Sequence, residues 1–185
     1  MSVVRMSIAV RPSASVVDAL RDLPRPVVRG VTWSVPEQWI VKLRPLGHLT
    51  VPAAGGGLEA ALVDAVVDAI EGAGPVECVL GLRTVRLGGQ WLAAPARGLD
   101  ELGAAVFDAT SPIVPVTHPQ PFRADLVLAR GRVPADLAGA EIDLRWTVEQ
   151  VVLVADRSSP RGARLEDRAE VPLASTPSAC RRANA

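Results

Sequence analysis

Apolar positions recur with helical spacing in three segments of this chain. The clearest is LEAALVDAVVDAIEGAG, where residues 58, 62, 65, 66, 69 and 70 form one apolar face and two glycines end the helix. A second helix is predicted within 11–23, with Ser13 or Ser15 as its N-cap. A third, GLDELGAAVFDAT, begins near Asp100. These three helices divide the chain into groups of shorter segments.

The segments between the helices are rich in β-branched residues and predict short strands. They cover 3–10, a short strand before a turn at Pro36, about Gln38 to Arg44, two or three strands in 76–96 around a Gly88-Gly89 turn, 122–132, 146–158 and 168–174. Long helices between groups of short strands predict an α+β protein, with helices on one face of antiparallel sheets.

Composition indicates a globular protein, since 49% of the 185 residues are hydrophobic and 22% are charged. Twenty basic and twenty acidic residues cancel, so no overall field attracts nucleic acid or an anionic membrane. Aromatic residues make up only 3%, which argues against single-stranded nucleic-acid binding by aromatic stacking. Lys42 is the only lysine in an arginine- and alanine-rich chain of the kind that high-GC bacterial genomes encode.

The N-terminal segment, the length of the apolar runs and the cysteines predict a cytoplasmic protein. The first ten residues are interrupted by Arg5 and Ser7 and do not form a signal peptide, and no apolar run has the length of a membrane span. Cys78 and Cys180 are expected to be free thiols in a reducing compartment.

One triplet has a catalytic composition. His48 and Thr50 lie two residues apart, and on a strand their side chains point the same way, which is one arrangement that can hold a phosphate. The glycine-rich stretch VPAAGGG at 51–57 lacks the Lys-Ser/Thr of a P-loop and is expected to be a plain loop.

Two longer segments resemble a known family. WSVPEQWIVKLRPLG is similar to the first signature of the 2′-5′ RNA ligase-like proteins, which are 2H phosphoesterases, and FRADLVLAR is similar to the second. The residues that match are Trp33, Pro36, Glu37, Trp39, Leu43, Arg44, Leu46 and Gly47 in the first signature, and Arg123, Leu128, Ala129 and Arg130 in the second. The closing strands resemble the family as well, so the resemblance spans about 3–174.

This resemblance implies one bilobal domain over 1–175. From about Thr176 the chain turns polar, and a disordered tail is expected over 176–185. In the family, two antiparallel sheets face each other across a groove, with helices on the outer faces, and each sheet supplies one His-x-Thr. The two histidines exchange a proton on a cyclic phosphodiester, usually a nucleoside 2′,3′-cyclic phosphate, and the hydroxyls hold the phosphate oxygens. No metal or cofactor takes part.

All four residues that would carry this chemistry are changed. Ile40 and Lys42 stand where the first signature has histidine and threonine, and Asp125 and Val127 stand where the second has them. Isoleucine cannot exchange a proton and valine cannot hydrogen-bond a phosphate oxygen. No catalytic residue is therefore expected at these four degenerate positions.

The two histidines elsewhere do not replace the missing ones. His48 lies eight residues beyond Ile40, and a strand advances about 3.3 Å per residue, so a continued strand carries it more than about 20 Å from the groove centre. His118 lies seven residues before Asp125. Both are interpreted as loop histidines.

Alternation with period two places Ile40, Lys42 and Arg44 on one face of their strand. The same rule places Asp125 and Val127 on one face of theirs. If both faces line the groove, a salt bridge between Lys42 and Asp125 is predicted, with the two aliphatic side chains beside it. Selection for this pair and neutral drift explain the four changes equally well.

Three functions of different classes remain open. A non-catalytic protein would bind a phosphorylated small molecule or an RNA end through basic residues of the groove: Lys42, Arg44, Arg123 and Arg130. A rewired phosphodiesterase would use Asp125 as base and Lys42 as acid. A protein-interaction module would work through another surface, and a groove whose charges are buried and neutralised would favour it.

Overall fold

The computed structural model describes residues 2–52, 56–116, 122–158, 162 and 164–173. Within these ranges no helix is long and apolar enough to span a membrane. The predicted tail over 176–185, including Cys180, lies outside the described residues, and so does His118.

The described chain forms ten strands, three α-helices and two short 3-10 turns. In order, these are β1 (Ser2–Val10), α1 (Ala14–Arg21), β2 (Val31–Trp33), a 3-10 turn (Pro36–Gln38), β3 (Val41–Val51), α2 (Gly57–Ala69), β4 (Val76–Arg83), β5 (Val85–Leu87), β6 (Trp91–Arg97), α3 (Asp100–Thr110), β7 (Asp125–Gly131), a second 3-10 turn (Ala135–Leu137), β8 (Glu141–Val148), β9 (Gln150–Asp156) and β10 (Leu165–Pro172).

The strands form one curled antiparallel path in the order β10-β9-β1-β3-β7-β6-β4-β8, with β2 paired to β7 and β5 paired to β6. β3 and β7 share a single residue pair, which divides the path into a first lobe (β10, β9, β1, β3) and a second lobe (β7, β6, β4, β8, β2, β5). The two sheets expected from sequence are therefore the two halves of one curled sheet, and the α+β prediction is confirmed.

All three helices pack on one face of this sheet and bury the main hydrophobic core. α3 packs on β3, α2 packs on α3 and β10, and α1 packs on β8. The apolar face of α1 contributes Val16 and Leu20 to this core, and that of α2 contributes Leu62 and Val66. Ser13 is the N-cap of α1, and its side chain accepts a hydrogen bond of 3.4 Å from the Val16 amide.

Two predicted strands differ from the observed ones. β3 does not end at Arg44 but continues through Gly47 to Val51, pairing with β1 along its length, so the prediction that His48 lies in a loop is wrong. The segment 146–158 is not one strand, because the chain crosses between the lobes at Glu149. The part before it pairs with β4 in the second lobe, and the part after it pairs with β1 and β10 in the first.

The close approach of β2 and β7 depends on one glycine. Gly131 has φ +117°, and a Cβ atom there would lie against the carbonyl oxygen of Gly30. That carbonyl already accepts a hydrogen bond of 2.8 Å from the Arg132 amide, so it cannot move away freely. Gly139 has a similar φ of +96°, with open space around it.

We therefore expect Gly131→Ala to destabilise the protein more than Gly139→Ala. Both incur the positive-φ strain of about 1–2 kcal/mol, and Gly131→Ala adds a backbone clash. Urea unfolding measures both free energies, and the loss at Gly131 should exceed the loss at Gly139 by at least about 1 kcal/mol. Equal losses would contradict the close approach.

Candidate functional site

The two lobes meet at Val41 of β3 and Leu126 of β7, which pair with each other and are fully buried in the main core. Extending this antiparallel register by one residue on each side sets Lys42 opposite Asp125, and Ile40 opposite Val127. Side chains alternate between the faces of a strand, so these four residues face away from the helices. We call this side of the sheet the groove face.

Ile40 lies at the centre of a small apolar cluster on the groove face. It is 5% exposed and packs with Ala9, Val152 and Val154, which are also buried, while Leu165 packs against the cluster from β10. The position that carries a proton-transferring histidine in the resembled signature is therefore occupied by a side chain that excludes water. Val127, half-buried on β7 opposite Ala93, adds no polar atom.

Asp125 does not pair with Lys42, so the predicted salt bridge is wrong. Its side chain is 12% exposed, and its Oδ2 atom lies 2.6 Å from Nε of Arg123. Residues two apart in extended chain share a face, so Arg123 reaches this carboxylate without crossing between the lobes. Burial raises the pKa of Asp125, and the charge and hydrogen bond of Arg123 oppose that shift without cancelling it.

Lys42 is exposed and forms no salt bridge with any residue in the described part of the chain. Its pKa is lowered, first by desolvation and then by repulsion from Arg5, while attraction to Asp156 opposes the shift. Its place beside the Val41–Leu126 pair sets Lys42 at the junction of the two lobes, on the groove face.

Arg5 is a second cation of the groove face, and it is not among the site residues predicted from the sequence. In the sheet it is flanked by His48 on β3 and by Asp156 on β9, so all three side chains lie on the same face. Asp156 accepts a hydrogen bond of 2.9 Å from the Ser158 amide. The signal in the sequence was a basic residue within the apolar first strand. His48 itself lies six strand residues beyond Lys42, about 20 Å along β3.

Arg44 lies on the opposite face from Lys42, so the predicted alternation is wrong at this residue. The register with β1 shifts between Ile8 and Ala9, which leaves Leu43 as the extra residue of a β-bulge. The bulge turns Arg44 towards the helices, where it is 3% exposed.

The buried Arg44 guanidinium binds the end of α3 and the chain that follows it. It donates to the Thr110 hydroxyl, to the Val114 carbonyl and, at 3.4 Å, to the Phe107 carbonyl, and its carbon atom lies 5.1 Å from the centre of the Phe107 ring. Free carbonyls at a helix C-terminus attract a cation. Arg44 therefore anchors a helix and has no access to the groove.

A second bulge lies in β7, at the equivalent position of the other signature. The register with β6 shifts between Leu92 and Ala93, which leaves Leu128 as the extra residue. Beyond it, Arg130 is exposed on the groove face, next to Trp91 of β6 and Thr32 of β2. Of the four predicted ligand-binding residues, three therefore reach the groove face or its edge, and Arg44 does not.

Other chemistry-bearing residues contribute nothing to this site. No group of three or more His, Cys, Asp or Glu side chains that could hold a metal occurs among the described residues. Cys78 is a free, buried thiol of β4, and burial raises its pKa to about 12, so it stays protonated and unreactive at neutral pH.

We expect Arg44→Met to lower the free energy of unfolding by about 2 kcal/mol, because hydrogen bonds from a buried charged group are lost. Binding of inorganic phosphate should be unchanged, since Arg44 does not reach the groove. Arg130→Met removes an exposed arginine and should change the free energy of unfolding by less than about 0.5 kcal/mol. Urea unfolding and calorimetric phosphate titration measure the two effects, and a phosphate-binding defect in Arg44→Met would refute this placement.

Comparison with solved structures identifies the fold. TT0787 of Thermus thermophilus superposes with a TM-score of 0.73 and 22% identity, over 91% of this chain and 97% of its own. LigT of E. coli in complex with 3′-AMP gives 0.71 and 16%, over 93% and 99%. A protein described as a phosphoesterase gives 0.72 and 17%, over 92% and 98%.

No family model and no curated protein sequence matches the chain. The structural likeness covers nearly all of it, and the two segments that resemble the family signatures meet at the junction of the lobes. The chain therefore has the fold of the LigT-like 2H phosphoesterases.

Proposed function

We propose that this protein is a non-catalytic protein of the 2H phosphoesterase fold that binds a phosphorylated ligand in its groove, either a small molecule or the end of an RNA. The observation that carries the proposal is that Lys42 is a desolvated cation that has no salt-bridge partner in the described chain. It lies at the junction of the two lobes, near Ile40, which cannot transfer a proton.

The loss of catalysis follows from the two lobes separately. On the first lobe, Ile40 is packed into an apolar cluster and has no proton to exchange. On the second, Asp125 stands in place of the histidine and its carboxylate is bound by Arg123, which opposes the rise in its pKa caused by burial without cancelling it. Each general acid or base contributes about 10²–10⁴ in rate, so losing one on each lobe removes most of the reaction.

Phosphate binding follows from the charges that remain. Desolvation is the main cause of the lowered pKa of Lys42, and repulsion from Arg5 lowers it further, while attraction to Asp156 opposes the shift. An anion placed between the two cations would relieve the repulsion and form charge-assisted hydrogen bonds. Arg130 adds positive charge on the second lobe, whereas the charge of Arg123 is offset by its salt bridge with Asp125.

The related fold accepts ligands of this class. LigT of E. coli has been crystallised with phosphate, 3′-AMP, ATP and NADP⁺, all of which carry phosphate groups. This range supports a phosphorylated ligand for the present groove without selecting one among them. A protein-interaction module would be favoured by a groove whose charges are buried and neutralised. The charge of Lys42 is exposed, and this favours ligand binding over a purely protein-interaction role.

A second candidate is a rewired phosphodiesterase with Asp125 as base and Lys42 as acid. The observation that favours it is that the pKa of Asp125 is raised and the pKa of Lys42 is lowered, both towards neutrality. The short Arg123–Asp125 contact argues against it, because a base already bound to a guanidinium accepts a proton less readily.

Turnover separates these two candidates. We expect no hydrolysis of adenosine 2′,3′-cyclic monophosphate by the natural protein, and hydrolysis by a variant that carries Ile40→His, Lys42→Thr, Asp125→His and Val127→Thr. Product formation is followed by chromatography, and circular dichroism checks that the variant is folded. Turnover by the natural protein that disappears in Asp125→Asn would establish the rewired enzyme instead.

The lowered pKa of Lys42 gives phosphate binding a pH dependence. The charged ammonium binds the anion, and a lowered pKa means that this charge is lost at a lower pH than for an ordinary lysine. We expect the affinity for inorganic phosphate, measured by calorimetry, to fall as the pH rises towards the ordinary lysine pKa of about 10.4, and to begin its fall at a lower pH than an ordinary lysine would give. Phosphate stays a dianion and arginines stay charged over this rise in pH.

Two variants assign this pH dependence to Lys42. Lys42→Arg should keep phosphate affinity and lose the fall with pH, because guanidinium does not titrate in this range. Lys42→Met should weaken binding about tenfold at about pH 8. Arg83→Met removes one exposed positive charge outside the groove and should leave binding intact. A tight phosphate complex in Lys42→Met would exclude the groove centre as the site.

A further inference from the structure

The last strand of the second lobe, β8, pairs with the rest of the sheet on one side only. It runs beside β4 without a register shift, from Glu141 opposite Arg83 to Val148 opposite Val76. In the described part of the chain no strand lies on its other side, and no turn, loop or cap hydrogen bond involves its backbone. Every second residue of this edge therefore directs an N–H and a C=O group outward, and such a row is a template for another strand.

The opposite end of the sheet is protected against this kind of pairing. The register of β10 shifts between Asp167 and Ala169, which leaves Arg168 outside the pairs, and the strand ends at Pro172, which has no amide to donate. Bulges and prolines are the features by which natural proteins block edge strands. β8 has no proline and no shift in its register with β4, so its edge is open to a partner strand.

The exposed side of β8 carries charges of both signs. Glu141, Asp143 and Arg145 are exposed in one row, and Thr147 completes this row. Asp143 and Arg145 contact each other at 3.5 Å, and their side chains are 64% and 61% exposed. An ion pair this open to solvent contributes little stability. Both side chains are therefore available to pair across an interface.

These charges select one register for a pair of identical strands. Two antiparallel copies of a strand pair about a central residue, because opposed side chains must lie on the same face. A centre at Leu144 pairs residues 141–147 of the two copies, and a centre at Arg145 pairs residues 142–148. The second arrangement sets two arginines directly opposite each other, which is unfavourable. The first sets Asp143 opposite Arg145 of the second copy, twice, so β8 is complementary to itself.

The apolar side of β8 fits the same register. Ile142 and Trp146 are buried in the main core, whereas Leu144 between them is only half-buried. A pair centred on Leu144 places the two half-buried leucines against each other at the middle of the interface. Their contact would remove from water apolar area that the single chain leaves exposed.

We propose that the free edge of β8 binds a second copy of this chain, as an antiparallel pair of strands centred on Leu144. This proposal does not depend on the function proposed for the groove. The exposed row of β8 lies on the side of the sheet away from the helices, so the groove faces of both copies would lie on one side of a continuous sheet. A single pair of strands is a small interface, and the dimer is therefore weak and reversible.

The test is analytical ultracentrifugation over a range of protein concentrations. We expect the natural protein to pass from monomer to dimer between about 1 μM and about 1 mM, the range in which small interfaces dissociate. Asp143→Arg sets two arginines opposite each other in each pair, and Arg145→Asp sets two aspartates opposite each other. Each variant should weaken dimer formation at least about tenfold. Asp108→Arg makes the same change of charge at an exposed position of α3 and should dimerise as the natural protein does.

Exchange of the two charges tests the register itself. The combined variant Asp143→Arg, Arg145→Asp again opposes unlike charges and should recover the dimer of the natural protein. An equimolar mixture of the two single variants should form a heterodimer, although each alone stays largely monomeric. Circular dichroism checks that all variants are folded. A natural protein that stays monomeric over the whole range would overturn the proposal, and so would a dimer that the single variants do not weaken or the combined variant does not recover.

Hydrogen exchange locates the interface independently of charge. The amides of β8 that point away from β4 should exchange more slowly at about 1 mM protein than at about 1 μM, because they become bonded to the second copy. The amides of β10 should exchange at the same rate at both concentrations. Protection that appears on another element and not on β8 would place the dimer interface elsewhere and contradict the proposal.

Discussion

The arrangement of the groove depends on one backbone pairing, between Val41 and Leu126. Both side chains are fully buried in the core beneath the sheet, so the register between the lobes is fixed by packing. A slip of one residue would turn either side chain out of the core. The neighbours of this pair must therefore face the groove whatever their chemistry, so residues as different as isoleucine, lysine, aspartate and valine can occupy these four positions without altering the fold.

Two β-bulges, at Leu43 and Leu128, decide which basic residues reach this face. Each reverses the alternation of its strand just after the motif position. In the first lobe the reversal buries Arg44 against the end of α3, and in the second it leaves Arg130 exposed beside Trp91. The same kind of β-bulge therefore buries Arg44 as a structural anchor in one lobe and exposes Arg130 on the groove face in the other.

Periodicity and the two signatures predicted the fold and the meeting of the motif residues, because both depend on patterns that repeat along the chain. They did not predict the bulges, since an extra residue in a strand leaves no mark on composition. The partner of Asp125 was missed for another reason: Arg123, two residues away on the same chain, competes for the carboxylate at no cost in loop closure. The division at Glu149 was missed because β8 and β9 join without a glycine or proline turn.

Under the proposed function, the residues of the groove replace proton transfer with anion binding. Burial of an aliphatic side chain the size of Ile40 contributes about 1.5–3 kcal/mol, whereas a charged histidine in the same apolar cluster would be desolvated. The isoleucine therefore stabilises the groove face at the position where the resembled signature has a histidine. Under the proposed function, Lys42 supplies a charge that attracts an anion, whereas the threonine of that signature would offer a neutral hydrogen bond. A groove that binds through charge in this way places little demand on the geometry of a transition state.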